Sequence, residues 1–348
     1  MRLEVRPHPS PALRATAPLL AVALAMLLAA LPLALAGADV IEAYRRMAVA
    51  SLGSPFALAE TLTRATPLIL TGLAAAIAFR ARLWNIGAEG QLYLGAVAAV
   101  ALGSGAIAAP PALLLPLVLL GGALAGAVFM LGPTWLKLRL GVDEVVTTLL
   151  LNFVALLFVG LLLEGPMQDP MSLGWPQSAP VQGDATLPRL VERTRLHGGL
   201  LVALVAALLV WLYLERTVWG FETRAVGSND RAAAFAGMPV SRVLLRTGLI
   251  SGALAGLAGA CEVTGLKGYL TQDLSPGFGY SGIVVAMLAQ LNPLGVVLAA
   301  LFVAGVFVGA DGMSRTVGVP SYIADLVVAL SLLTMLLAGL VVRYRVRR

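Results

Sequence analysis

The chain has 348 residues, 59% of them hydrophobic and 12% charged, whereas a soluble domain is about 25% charged; it cannot cover itself with polar surface and belongs in a bilayer. Two histidines (His8, His197) and one cysteine (Cys261) exclude a histidine- or thiolate-bound zinc and an intrachain disulfide. The excess of 24 Lys and Arg over 18 Asp and Glu would suggest nucleic acid in a soluble protein, but its distribution follows membrane topology instead.

A hydrocarbon core of about 30 Å needs about 20 apolar residues per helix. Residues 15–38 supply the first such run. Its end, Ala34-Leu35-Ala36, has the spacing of a signal cleavage site, but the run exceeds a secretory apolar region of about 7 to 15 residues and more spans follow, so it reads as a membrane helix. Residues 58–79 form the next span, with Glu60 and Arg64 at its outer end. The 47 uncharged residues 90–136 hold two spans, turning at Gly103-Ser104-Gly105 and Pro110-Pro111. Single spans follow at 145–163, 198–214 and 247–265. Residues 274–310 hold two, separated by Asn292-Pro293, and 322–342 is the last. The expectation is an all-α membrane protein of about ten transmembrane helices in one domain, 1–348. Its first half would cover 58–163, an external loop 164–197, and its second half 198–348.

Lys and Arg concentrate on the cytoplasmic side. With the N-terminus inside, 16 of the 24 fall in cytoplasmic segments, including Arg80, Arg82, Lys137, Arg139, Arg224, Arg231 and Arg343. Both termini are therefore expected in the cytoplasm.

Lipid tails are as apolar as leucine, so membrane helices associate where small residues let backbones approach. Gly122 and Gly126, Gly248, Gly252 and Gly256, and Gly305 and Gly309 each repeat at a spacing of four. Two segments read as breaks: Leu83 to Gln91 and Ser275 to Gly282, both glycine-rich and polar, each preceding an alanine-rich apolar helix. The first follows an out-to-in helix and the second an in-to-out helix, the relation expected of an inverted repeat. Irregular backbone at membrane depth is tolerated only where it is buried or lines water.

No G-x-x-x-x-G-K-[ST] phosphate loop occurs, so ATP hydrolysis by that route is excluded. Glu89, Glu262 and Asp325 fall near helix ends, and the central polar residues are neutral: Thr147, Thr148, Asn152, Gln290 and Asn292. That favours an uncharged solute over an ion and counts against a proton-driven carrier. Glu144, Thr148 and Asn152 step by four on one helical face, as an inter-helix bond or as the lining of a path. The cytoplasmic stretch 215–246 contains Gly227 to Pro239, with Ser228 or Asn229 as helix cap, Asp230 in the first turn and Gly237 as stop. So short a helix is marginal alone, and Ala232, Ala233 and Ala236 would let it dock closely.

The string Ala225-Val226-Gly227-Ser228-Asn229-Asp230-Arg231-Ala232-Ala233, with Ala236-Gly237-Met238 and Ser251 to Gly259, resembles the coupling-helix region of ABC importer permeases of the ribose/branched-chain amino acid type. Within that group, Leu83-Trp84-Asn85-Ile86-Gly87-Ala88-Glu89-Gly90-Gln91 resembles the F-N-I-G-A-E-G-Q signature of nucleoside permeases that work with Bmp-type lipoproteins, with Trp84 where phenylalanine is usual. Glu144 to Asn152, Gly277 to Ile283 and Asn292 to Gly295 match further motifs; the resemblance covers about 58–345.

The resemblance implies an inverted-repeat type II ABC permease in the bacterial inner membrane. It implies a second homologous permease subunit, a cytoplasmic tandem ATPase that binds ATP and Mg, and an extracytoplasmic substrate-binding lipoprotein, with no cofactor on this chain. Ser228, Asn229, Asp230, Arg231, Ala232, Ala233, Ala236 and Gly237 would couple to the ATPase. Trp84, Asn85, Glu89, Gln91, Thr148, Asn152, Phe278 and Tyr280 would line the substrate path. A sugar permease of the same superfamily is the alternative substrate class. A secondary carrier lacks the central acids it would need, and a membrane-embedded transferase lacks a cluster of Asp, His or Arg.

Overall fold

The computed structural model describes residues 2–5, 11–105 and 109–347; positions 106–108, inside one expected turn, lie outside them. The described residues form thirteen α-helices and one short antiparallel strand pair, β1 (Arg2–Val5) and β2 (Tyr344–Arg347), with Arg2 opposite Arg347. That pair is the departure from an all-α chain, and it brings the two terminal segments side by side.

The chain divides into two compact units, Met1–Arg64 with Leu301–Arg348, and Ala65–Ala300. In the first, α1 (Pro11–Leu35) packs along α13 (Ser321–Arg343). Their core is Ala29, Leu33, Met313, Ile323 and Val327. Helix α2 (Val40–Leu52) was not legible as a span, because Glu42, Arg45 and Arg46 interrupt its apolar residues. It is bent 118° from the second half of α1, after Gly37 at φ 77°. Asp39 caps it by accepting from the Ile41 and Glu42 amides at 2.9 and 3.2 Å. The small face of α12 (Pro293–Val317) packs on this helix: a Cβ on Gly309 would stand 2.7 Å from Met47. Arg64, on α3 (Pro55–Arg80), and Asp311 pair at 2.8 Å.

The second unit centres on α4 (Ala88–Gly103), α5 (Pro111–Leu140) and α10 (Val240–Glu262). Gly126 and Gly252 face each other's carbonyls, as do Gly122 and Gly256, and Gly259 lies on the Leu92 carbonyl. The first four are spacing-four glycines in use, and Gly259 extends their row: backbone meets backbone at each of them. Long and short helices also pair crosswise. Helix α10 packs on α4, while α3 packs on α11 (Phe278–Leu288), where a Cβ on Gly72 would stand 2.9 Å from Val285 and one on Gly282 2.5 Å from Thr71.

Six helices among the described residues are long and apolar enough to cross a membrane, or seven if the bent α1–α2 pair is one span. They include α6 (Glu144–Leu163) and α7 (Gly199–Arg216). Two expected spans fall short. Helices α4 and α11 have 16 and 11 residues, and at about 1.5 Å per residue neither reaches across about 30 Å by itself. Asn292, expected among the central polar residues, instead caps α12 by accepting from Leu294 and Gly295.

The segment 164–197 lies against the end of α10. Ser178 N donates to Leu270 O, Val181 N to Gly268 O, and Leu187 N to Thr264 O at 2.8 Å. Thr264 sits in a π-helical turn, Val263–Lys267, that ends α10. His197 is fully buried beside that turn, close to where a Gly265 Cβ would project, and its Nδ1 accepts from Gly199 N at 3.2 Å. Burial holds its pKa at about 4 against an ordinary 6.5. The unfolded chain therefore takes up a proton that the folded one refuses as the pH falls below about 6.5, and the stability is full above that value. The melting temperature of the purified protein is expected to drop between about pH 7 and pH 4.5, and His197→Gln to flatten the drop. An unchanged slope in the variant would assign it to other groups.

Candidate functional site

Helix α3 ends on Arg82 at φ 52°, with Leu83 N bonded to Ala78 O and Arg82 N to Phe79 O. This double closure ends a helix and redirects the chain. The chain stays non-helical to Gly87 and then enters α4. Three side chains of α6, one per turn, hold this irregular stretch. Glu144 accepts from Trp84 N at 3.1 Å, Thr148 from Ile86 N at 3.2 Å, and Asn152 from Gly90 N at 2.8 Å. Lys137 pairs with Glu144. From the other side, Asn85 Nδ2 donates to Gln91 Oε1 and to Ser251 Oγ, each at 2.9 Å, and Ser251 donates to the Ala74 carbonyl at 2.7 Å. Neutral or paired side chains thus serve the amides of Trp84, Ile86, Gly87 and Gly90, which the backbone does not.

The second break meets the first. Glu89 Oε2 accepts from Gly279 N at 2.6 Å, so the first turns of α4 and α11 touch. Tyr93, one turn further along α4, donates to Gln272 O at 2.6 Å and accepts from Ser275 N at 3.2 Å. Thr71 of α3 donates to Phe278 O at 3.0 Å. Asn152 spans both breaks, donating to Ile86 O at 2.9 Å and to the Tyr280 hydroxyl at 3.2 Å.

Of the residues expected along a path, Asn85, Glu89, Gln91, Thr148, Asn152 and Phe278 form one buried cluster. Asn85 and Gln91 bond to each other, while Glu89, Thr148 and Asn152 spend hydrogen bonds on the backbone of the two breaks. Trp84 and Tyr280 remain 39% and 37% exposed at its edges, and the Trp84 ring leans on Phe79 at 4.7 Å between centroids. Among the described residues no group of three or more His, Cys, Asp or Glu could hold a metal ion.

The segment expected to face the cytoplasm folds as two helices, α8 (Val218–Ser228) and α9 (Asp230–Phe235). Asn229 caps the second by accepting from Ala232 N at 3.0 Å, and Gly237 ends it at φ 82°. Ser228, Asn229, Asp230, Arg231, Ala232, Ala236 and Gly237 are exposed. Ala233 is not on that outward face: it is 4% exposed and packs with Ala81, Leu83, Val226 and Val243. It faces the irregular stretch, because a six-residue helix with its cap needs one apolar side turned to its own protein. The outward apolar residue is Phe235, 97% exposed. It was missed, although it is the one large apolar residue in a run of charged and small ones.

The family described as "Branched-chain amino acid transport system / permease component" matches residues 57–339, which takes in both breaks and helices α8 and α9. The chain belongs to this permease family. The permease is 39% identical to the glucose ABC transporter permease protein TsgB13 of Haloferax volcanii, covering 94% of this chain and 89% of that one. It is 38% identical to the guanosine ABC transporter permease protein NupP of Bacillus subtilis, covering 91% of each. It is 32% identical to the nucleoside ABC transporter permease protein NupB of Lactococcus lactis, covering 90% and 88%.

Asn152 shows what the geometry requires of this permease. Asn152→Leu leaves the Gly90 amide and the Ile86 carbonyl buried without their partner. The expected cost is about 2–4 kcal/mol, read as a lower melting temperature in detergent. Tyr280→Phe removes one side-chain bond and should cost about 0.6 kcal/mol. Equal melting of the two variants would refute this ordering.

Proposed function

We propose that the chain is the permease subunit of an ATP-driven importer of nucleosides. It would work with a second homologous permease, a cytoplasmic tandem ATPase that carries ATP and Mg, and an extracytoplasmic substrate-binding lipoprotein. The observation that carries this reading is the meeting of α4 and α11 at Glu89 and Gly279, flanked by the half-exposed rings of Trp84 and Tyr280. Such meeting half-helices are a common place for a solute in transporters, and aromatic edges beside neutral amides suit an uncharged solute with a planar base. Likeness to the guanosine and nucleoside permeases supports the same substrate class.

The crosswise packing of α3 on α11 and α10 on α4 supports an inverted repeat, with the two short helices as the corresponding half-spans of a ten-helix plan. Pairing of β1 with β2 supports termini on one side of the membrane, and the Arg distribution makes that side the cytoplasm of a bacterial inner membrane. Phe235 with Asn229 to Ala232 and Ala236 would dock on the ATPase. Ala233, packed on Ala81 and Leu83, would pass the motion of that docking to the stretch that carries Trp84 and Asn85.

The test is uptake of labelled solutes by the complete complex in proteoliposomes. Guanosine uptake that needs internal ATP and survives a protonophore is the expected result. Glucose uptake in its place would support the second reading, which the Haloferax volcanii relative favours. Collapse with the protonophore at constant ATP would overturn the ATP-driven reading.

A further inference from the structure

Thr217 closes α7 and opens α8, its hydroxyl accepting from Gly220 N at 3.0 Å. The two helices are tied at close range. A Cβ on Gly220 would run into the Tyr213 carbonyl and the Leu214 backbone, the Tyr213 hydroxyl lies 3.3 Å from Thr223 Oγ1, and Arg224 pairs with Glu215 at 3.6 Å. The link from α8 to α10 is of another kind. Beside the apolar cluster that Val226 shares with Val243 and Leu244, the Arg246 guanidinium crosses from α10 to α8. Its Nη2 donates to Glu222 Oε2 at 2.9 Å and to the Trp219 carbonyl at 3.2 Å. The same guanidinium stands over two rings, 5.1 Å from the centroid of Trp219 and 5.9 Å from that of Tyr213, within reach of a cation–π contact with each. The Arg246 and Glu222 side chains are 25% and 20% exposed, so salt screens the pair less than it screens a surface one.

Helix α10 leads from that link to the first break. Ser251 lies further along α10, about 7.5 Å from Arg246 on the helix axis. Its hydroxyl accepts from Asn85 Nδ2 at 2.9 Å and donates to Ala74 O at 2.7 Å, and just beyond it Gly252 and Gly256 lie against the backbone of α5. We propose that Arg246 is the positioning residue that fastens α8 and α9 to α10, so that their movement reaches Asn85 along α10; this rests on the importer reading above and adds a second route to the one through Ala233. The chemistry suits a link that must move without parting. Coulomb attraction and a cation over an aromatic face weaken gradually with distance, whereas dispersion contacts such as those around Ala233 lose a quarter to a half of their strength over a gap of about 0.5–1 Å. Arginine holds a carboxylate, a carbonyl and two rings at once, which the point charge of lysine cannot.

The experiment uses the complete complex in proteoliposomes and reads ATP hydrolysed per solute imported, with labelled guanosine as the probe, or labelled glucose if the wild type imports that instead. R246Q is expected to raise this ratio roughly tenfold while the ATPase subunit stays bound, because the outward face at Phe235 is untouched. R246K keeps the charge and should fall between R246Q and the wild type. R242Q changes an exposed arginine one turn away on α10 and should leave the ratio as in the wild type. E222Q should raise it, and E222Q/R246Q no further than R246Q, since the two side chains act as one unit. A wild-type ratio in R246Q overturns the proposal. So does a fall of uptake and hydrolysis in equal proportion together with a lower melting temperature, the mark of a fold contact alone. If R246Q does not assemble, R246K decides, and a wild-type ratio there overturns the proposal; losses that multiply in the double variant overturn it as well. Import by the wild type without ATP overturns the importer reading and this proposal with it, whereas ATP-driven import with unaffected variants overturns this proposal alone.

Discussion

Gly256→Val is expected to leave no folded permease. The added side chain would enter the Gly122 carbonyl and stand 2.9 Å from the Gly126 amide nitrogen. Both obstacles are backbone of α5, which cannot rotate away as a side chain could. Overpacking in a yielding core costs about 1–3 kcal/mol; here a whole helix must move, and α4 moves with it, because Gly95 rests on the Gly256 carbonyl from the other side. The loss is therefore expected to exceed about 5 kcal/mol, the lower end of ordinary folding stabilities of about 5–15 kcal/mol. Gly132, on the same helix α5, has nothing within 4 Å of its Cβ position, so Gly132→Val is the control. Size-exclusion profiles and melting curves in detergent read the contrast. Gly256→Val eluting and melting as the wild type would remove the three-helix glycine contact as the basis of this fold.

Phe235→Ala is expected to separate docking from folding. An aromatic side chain 97% exposed contributes nothing to its own fold, and an aromatic anchor at the centre of an interface is worth about 2–4 kcal/mol on truncation. That corresponds to roughly 30- to 1,000-fold in affinity. The variant should melt as the wild type while losing most ATP-driven uptake and most retention of the ATPase subunit during purification. Ala233→Glu should behave differently. It places a charge among Ala81, Leu83 and Val243, so it lowers the melting temperature of the permease itself. If Phe235→Ala retains full uptake, α9 is a surface turn and coupling lies elsewhere.

The two variants mark where sequence reading reached and where it stopped. Glycines spaced by four and long uncharged runs are local, repetitive signals, and a bilayer reads them with little ambiguity; α5, α6, α7 and α10 therefore lie where the chain places them. The cap at Asn229 and the stop at Gly237 are equally local. Which side of α9 faces outward is not local: with no apolar stripe in six residues, only packing on Leu83 and Val243 decides that Ala233 turns in and Phe235 turns out. Helix α2 was hidden because a hydropathy run detects burial in lipid, and this helix instead carries three charges while packing Met47 on Gly309.

By itself the sequence determined a membrane protein without a phosphate loop of its own, the two breaks, and the four-residue spacing of Glu144, Thr148 and Asn152. Each follows from composition or periodicity, which act over a few turns of chain. The tertiary structure decided what that spacing is for. Residues on one face of α6 could have lined water or bonded a neighbour, and only the arrival of the 81–90 backbone, some 60 residues away in the chain, assigns them as partners of Trp84, Ile86 and Gly90. It also decided that two half-helices from opposite ends of the chain meet at Glu89 and Gly279, 190 positions apart. Burial in lipid leaves no water to satisfy a backbone group, so such distant partners must be found within the fold.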